Sequence, residues 1–165
     1  MKPGTPDLEE AASSYEGLQG DVRAWKLPEL EVWKNEYSDR VYSVRVEIPE
    51  FNCICPKTGL PDFATISIEY EPRVRCVELK SLKLYIVAFR NLGVFHEHAV
   101  NRILDDFVRA VEPRSVQVRG VFGARGGITT TVEARWPQAG ESSGKSSAGR
   151  PVSYTHLTLP TNREV

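Results

Sequence analysis

The chain is poor in cysteine and in long apolar runs, and it lacks a strong charge of either sign. Each shortage closes off a class of protein. Three cysteines, Cys53, Cys55 and Cys76, are an odd number in 165 residues. Met1-Lys2-Pro3-Gly4 opens no secretory signal, so they read as reduced thiols rather than a disulfide framework. Cys53 and Cys55 lie two apart, which is no Cys-x-x-Cys redox or zinc spacing, and His96 and His98 at i and i+2 are awkward for one metal from a helix. No metal site is expected. A formal net charge of −1 gives no bulk electrostatic case for nucleic acid or an anionic membrane. The apolar runs fall far short of a bilayer span, and a cytoplasmic location is the default expectation. No Gly-x-Gly-x-x-Gly follows a strand, which argues against a Rossmann-type cofactor site. With 41% hydrophobic and 26% charged residues, what remains is an ordinary globular composition, long enough for one domain with a real core.

Residues 1–20 carry Gly, Pro, Ser and acidic residues without periodicity and are expected to form a mobile arm. Residues 21–40 disperse Trp25, Leu27, Leu30, Val32 and Trp33 among charges, a segment that wraps either its own core or a neighbouring subunit. Val41 to Ile48 alternates with period two and ends at Pro49, and Phe63 to Tyr70 alternates in the same way. A loop of about a dozen residues joins them into a hairpin. Val74 to Glu78 adds a short extended segment.

Leu82, Tyr85, Ile86 and Phe89 form a helical stripe within Ser81 to Leu92, stopped by Asn91-Leu92-Gly93. Phe95 to Val111 carries a wide apolar face and predicts a second helix ended by Pro113. Ser115 to Phe122 and Ile128 to Trp136 read as two more strands joined by the glycine-rich turn Gly123 to Gly127. The order ββααββ is an α+β pattern, two helices on one face of an antiparallel four-stranded sheet. Domain boundaries are expected at 21–137. Residues 138–165 form a low-complexity tail whose last part, Val152 to Val165, fits nothing before it, and within it Val152 to Leu157 resembles the translation of a sequencing adapter.

The loop Phe51 to Ala64 holds the chemistry-bearing residues. Pro56, Gly59 and Pro61 forbid a continuous strand, so the thiol of Cys55 and the carboxyl of Asp62 stand at opposite ends of one stiff turn. A thiolate is the side chain best able to add to an electrophilic carbon, and Lys57 is placed to favour it. A carboxyl that donates a proton must hold one part of the time, which partial burial favours by penalising the charged form. Taken alone, each residue also has an ordinary reading, Cys55 as a buried inert cysteine and Asp62 as a turn cap. Cys53 and Cys76 read as core. Lys80 and Lys83, three apart, share one helix face with Ser81 between them. Glu97 sits in the first turn of the second helix beside His96.

Three stretches together carry a resemblance: Cys55-Pro56-Lys57-Thr58-Gly59-Leu60-Pro61-Asp62-Phe63-Ala64, Glu78-Leu79-Lys80-Ser81-Leu82-Lys83-Leu84-Tyr85, and Phe95-His96-Glu97. In this order and at these intervals they resemble the 7-cyano-7-deazaguanine reductases, the nitrile reductases of the queuosine pathway, in the short single-module form. That family has the tunnelling fold. The resemblance covers roughly residues 40 to 136 and implies NADPH as cofactor, a covalent thioimide at Cys55 and proton delivery by Asp62. It implies contacts to NADPH phosphates from the signature stretch Lys80, Ser81 and Lys83, with Arg125 in the glycine-rich turn as a further phosphate contact. It implies recognition of the guanine-like edge of the substrate by the Glu97 carboxylate, help from His96, and contacts to the base from Val77, Glu78 and Leu79. Leu79 departs from the small polar or aromatic residue usual there, which leaves a backbone contact at that position. Sheets in the family close into a barrel, commonly a decamer of two pentamers, with sites between subunits. Two other readings use parts of the same residues: a pterin or purine enzyme of the cyclohydrolase kind, and a non-enzymatic thiol-redox protein.

Overall fold

In the computed structural model, which describes residues 17–138, the elements follow in order as β1 (Val32–Lys34), β2 (Val44–Ile54), β3 (Pro61–Glu71), β4 (Arg75–Val77), α1 (Leu79–Val87), α2 (His96–Val111), β5 (Ser115–Arg125) and β6 (Ile128–Trp136). Short 3-10 turns at Val22–Ala24 and Ala88–Asn91 complete them. The readings of residues 1–16 and 139–165, adapter-like end included, fall outside the described residues.

The four long strands form one antiparallel sheet in the order β2-β3-β5-β6, and β1 pairs β4 in a separate ribbon. Period-two alternation decides which face is buried. Along β3, Asp62, Ala64, Ile66, Ile68 and Tyr70 all point into the core while their neighbours do not. Along β5, Val116, Val118, Gly120 and Phe122 do the same. The opposite face is polar and carries cross-strand ion pairs, Arg45 with Glu69 at 2.7 Å and Arg119 with Glu133 at 3.0 Å.

Both helices cover the apolar face. Phe51 meets Phe89 and Phe122, and Tyr70 meets Phe107. Gly120 is where α2 comes closest: a Cβ there would lie 2.8 Å from Val100 Cγ2 and 2.9 Å from Phe122 Cε2, so only glycine fits between helix and sheet. The helices are tied together by a buried node in which Asp106 accepts from Tyr85 Oη at 2.8 Å and from Arg102 Nε at 2.7 Å. Arg102 also donates to the carbonyls of Val22 and Trp25. Residues 21–25 therefore wrap their own core. Gln19, at the end of the arm expected over 1–20, is tied down as well: its Oε1 accepts from Phe95 N at 2.8 Å, and its Nε2 lies 2.6 Å from His98 Nδ1.

Several boundaries differ from the expectations. β2 does not stop at Pro49. It is an edge strand, where a missing N–H costs no ladder bond, and it runs on to Ile54 through a bulge. The hairpin loop shrinks to Cys55–Leu60 as a result. α1 begins at Leu79 rather than Ser81, because the Glu78 carboxylate caps it by accepting from Lys80 N at 2.8 Å and Ser81 N at 2.7 Å. Its expected last turn tightens to 3-10. β1 was not foreseen: three residues pair with β4 from far away in sequence.

Candidate active site

Two β-bulges lie on either side of β3, one in β2 and one in β5. In β2, Ile48 pairs Ile66 and Phe51 pairs Ala64, so one extra residue is accommodated and Phe51 and Cys53 return to the buried face. In β5, Phe122 pairs Thr130 and Arg125 pairs Ile128, again with one extra residue on one strand. The first bulge delivers Cys55 to the hairpin mouth, and the second delivers Arg125 beside it.

The turn itself is closed by Cys55 N to Leu60 O at 2.8 Å and Gly59 N to Cys55 O at 2.9 Å, with Gly59 in the left-handed region at φ 68°. The Thr58 hydroxyl accepts from Leu60 N at 3.3 Å and from Arg125 Nη2 at 3.2 Å. Partial burial pushes the Cys55 thiol up, but hydrogen bonds from the Thr58 side chain and backbone, the Arg125 side chain and the Lys57 backbone outweigh it, and the net shift is downward. The expected help from Lys57 thus comes from its backbone rather than its ammonium group. Thr58 is the residue that sequence reasoning missed. It stood within the quoted motif, and a hydroxyl in a tight turn after a thiol was the available signal.

Asp62 pairs across the hairpin with Cys53 and is 4% exposed, a carboxylate at the end of an apolar row. Its Oδ2 lies 3.2 Å from His96 Nε2, and its Oδ1 lies 2.7 Å from Arg125 Nη1. Oδ1 makes no aligned hydrogen bond, so the guanidinium meets it as a charge rather than along an N–H direction. His96 reaches Asp62 because the link between the helices docks on the end of β2: Ile54 N donates to Leu92 O at 2.9 Å, and Val94 N donates to Ile54 O at 3.0 Å. His96 then starts α2, its ring stacked on Phe122 with centroids 3.7 Å apart. Glu97 follows it in the first turn, its side chain exposed.

Cys55, Asp62, His96 and Arg125 are therefore brought together. Arg125, expected at a phosphate, is engaged here with Asp62, Thr58 and the Cys55 thiol. Lys80 and Lys83 are exposed on α1. Lys83 and Arg90 stand over a groove of about 360 Å³ walled by Ile48, Leu79, Leu82 and Val87, between α1 and the β2 bulge. Ser81 is 5% exposed, and its hydroxyl donates to Glu78 O and accepts from Glu31 N, which fixes the elbow between β4 and α1. At Val77 and Glu78, where contacts to the base are expected, the backbone N–H groups donate to Tyr70 Oη at 3.4 Å and to Glu31 O at 2.9 Å. Cys53 is fully buried, and desolvation with the nearby Asp62 charge pushes its thiol up to about 12. Cys76 is core, as read.

A family model described as QueF-like protein matches residues 61–141. An NADPH-dependent 7-cyano-7-deazaguanine reductase of Chlorobium phaeovibrioides is 57% identical over 105 residues, which is 64% of this chain and 90% of that protein. The protein of the same name from Chloroherpeton thalassium is 53% identical over 65% of this chain and 92% of its own length. This chain belongs to the 7-cyano-7-deazaguanine reductase family. The crystal structure of an archaeosine synthase QueF-Like in the apo form superposes with a TM-score of 0.51 at 22% identity, covering 58% of this chain and 91% of that one. That likeness speaks for the fold, an antiparallel sheet with two helices on one face, the tunnelling fold. The stretches that carry the resemblance, 55–64, 78–85 and 95–97, fall on the elements just described.

Proposed function

We propose that this protein reduces the nitrile of 7-cyano-7-deazaguanine to the aminomethyl group at the expense of two NADPH. The observation that carries the reading is the hairpin mouth, where hydrogen bonds lower the pKa of the one partly exposed thiol and a buried carboxylate shares its guanidinium partner. Cys55 sulfur adds to the nitrile carbon, forming a C–S bond as the C≡N π pair moves to nitrogen, and Asp62 supplies the proton that nitrogen takes up, leaving a thioimide. NADPH, when bound, supplies a hydride to carbon at each of two stages. Between those stages the C–S bond breaks, the sulfur leaves as thiolate, and an imine remains to be reduced. Two hydrides and two protons balance the conversion of C≡N to CH2–NH2. His96, 3.2 Å from Asp62, is placed to return a proton to it between stages.

Glu97 accepts two N–H bonds from the guanine-like edge as a planar fork. The exposed cations Lys80 and Lys83, with the apolar groove below Lys83, fit a phosphate-bearing group with a flat ring. That groove is too small for a dinucleotide, and Glu97, Lys80 and Lys83 all face outward. Both points support a site completed by a neighbouring subunit in a closed barrel of copies, a decamer of two pentamers in the form the family's habit implies. Three free thiols and a pyridine nucleotide suit the reducing cytoplasm. NADPH oxidation followed at its absorbance band, with and without the cyano-deazaguanine, tests the whole reading. Consumption of two NADPH per nitrile is expected, and no substrate-dependent oxidation would overturn it.

A further inference from the structure

Arg125 sits where no ordinary turn residue needs to be. Its guanidinium forks, with Nη1 2.7 Å from Asp62 Oδ1 and Nη2 3.2 Å from Thr58 Oγ1, and its side chain also hydrogen-bonds Cys55. One cation therefore touches the first residues of β3, the 55–60 turn and the thiol, and it reaches all three from the far side of β5 because of the Phe122–Arg125 bulge. Among the described residues, the groups that act on Cys55 include Arg125 and the Thr58 hydroxyl, the backbone of Lys57 and Thr58, and the buried pair Cys53 and Asp62. Of these side chains, a thiolate at 55 and a carboxylate at 62 would repel each other, and Arg125 is the cation in contact with both. Asp62 is fixed on its other oxygen by His96.

We propose that Arg125 is the positioning residue of this site, holding the Cys55 sulfur and the Asp62 carboxylate in one arrangement and supplying the positive charge between them. This deepens the reductase reading and rests on Cys55 being its nucleophile. The role belongs to the free protein, before nitrile or cofactor arrives, and so it can be read without either.

The test is the pH dependence of Cys55 alkylation by iodoacetamide in the full chain, followed by peptide mass. Cys53 does not compete because it is fully buried, and that burial pushes its thiol up to about 12. Arg125→Gln is expected to move the profile to higher pH and to slow alkylation at pH 7 by about tenfold, the effect of one pKa unit on the thiolate fraction. Arg125→Lys, which keeps the charge but loses the fork, is expected to fall between. Arg119→Gln, on the opposite face of the same strand and paired with Glu133, is expected to superpose on the parent. Should Arg125→Gln fail to give a native circular dichroism spectrum, Arg125→Met, which keeps the apolar stem, is read in the same way. A profile for either that superposes on the parent overturns the proposal. A parent chain that alkylates as described yet reduces no nitrile would overturn the reductase reading and leave this inference standing.

Discussion

Cys53 and Cys55 are two residues apart on one strand end, and the chain gives them opposite chemistry. Cys53 ends the packed row, opposite Asp62, with neither solvent nor a donor to stabilise a negative charge, and its thiol is pushed up to about 12. Cys55 is one step outside the ladder, where the turn backbone, a hydroxyl and a guanidinium all donate, and its thiol is held below its ordinary value despite partial burial. Residue type and local sequence barely differ between them. Reactivity is decided by whether the sulfur ends a β-ladder or begins a turn whose N–H groups reach it.

The largest effect that could break this contrast is the exchange of the two alanine variants. Cys55→Ala is expected to abolish both turnover and the covalent adduct seen by intact mass, while Cys53→Ala keeps both. A Cys53→Ala protein with no adduct, or a Cys55→Ala protein that still forms one, would show that the contrast was drawn the wrong way round. Asp62→Asn comes next. It keeps the shape but cannot donate an acidic proton, and steady-state rates should fall by roughly 10²–10⁴, the range for a lost general acid. Retained turnover would remove Asp62 from the mechanism. Smallest is Thr58→Val, which deletes one hydrogen bond to the sulfur and leaves the backbone donors in place. The sign follows from the chemistry: fewer donors to the thiolate raise its pKa, so the alkylation profile should move to higher pH by a few-fold in rate at neutral pH. An unmoved or lowered profile would take the hydroxyl out of the account.

Much of the sheet was legible because it obeys period two. Phe63 to Tyr70 and Ile128 to Trp136 alternate cleanly, and α2 shows its apolar face in the spacing of Val100, Ile103, Leu104 and Phe107. Cys55, Asp62, His96 and Glu97 were legible as types in quoted motifs. What the sequence could not display was register. Pro49 looked like an end because nothing local says that its strand is an edge, and nothing local says that a bulge brings Arg125 to Asp62 and Thr58. Ser81 sits between two lysines, yet its burial depends on Glu31, fifty positions earlier.

The bulge between Ile48 and Phe51 has one more consequence. A strand keeps count only in odd and even, and the bulge takes its extra residue out of that count. Remove it, and the strand becomes regular: one outward residue follows Ile48, Phe51 and Cys53 still face in, and only the local bend and added twist are lost. Remove both Pro49 and Glu50, and Phe51 follows Ile48 directly, so that Phe51 and Cys53 are turned outward. Length changes in this stretch should therefore be read by parity before size. Losing one of Pro49 and Glu50 is only a trim, and losing both is a switch of face.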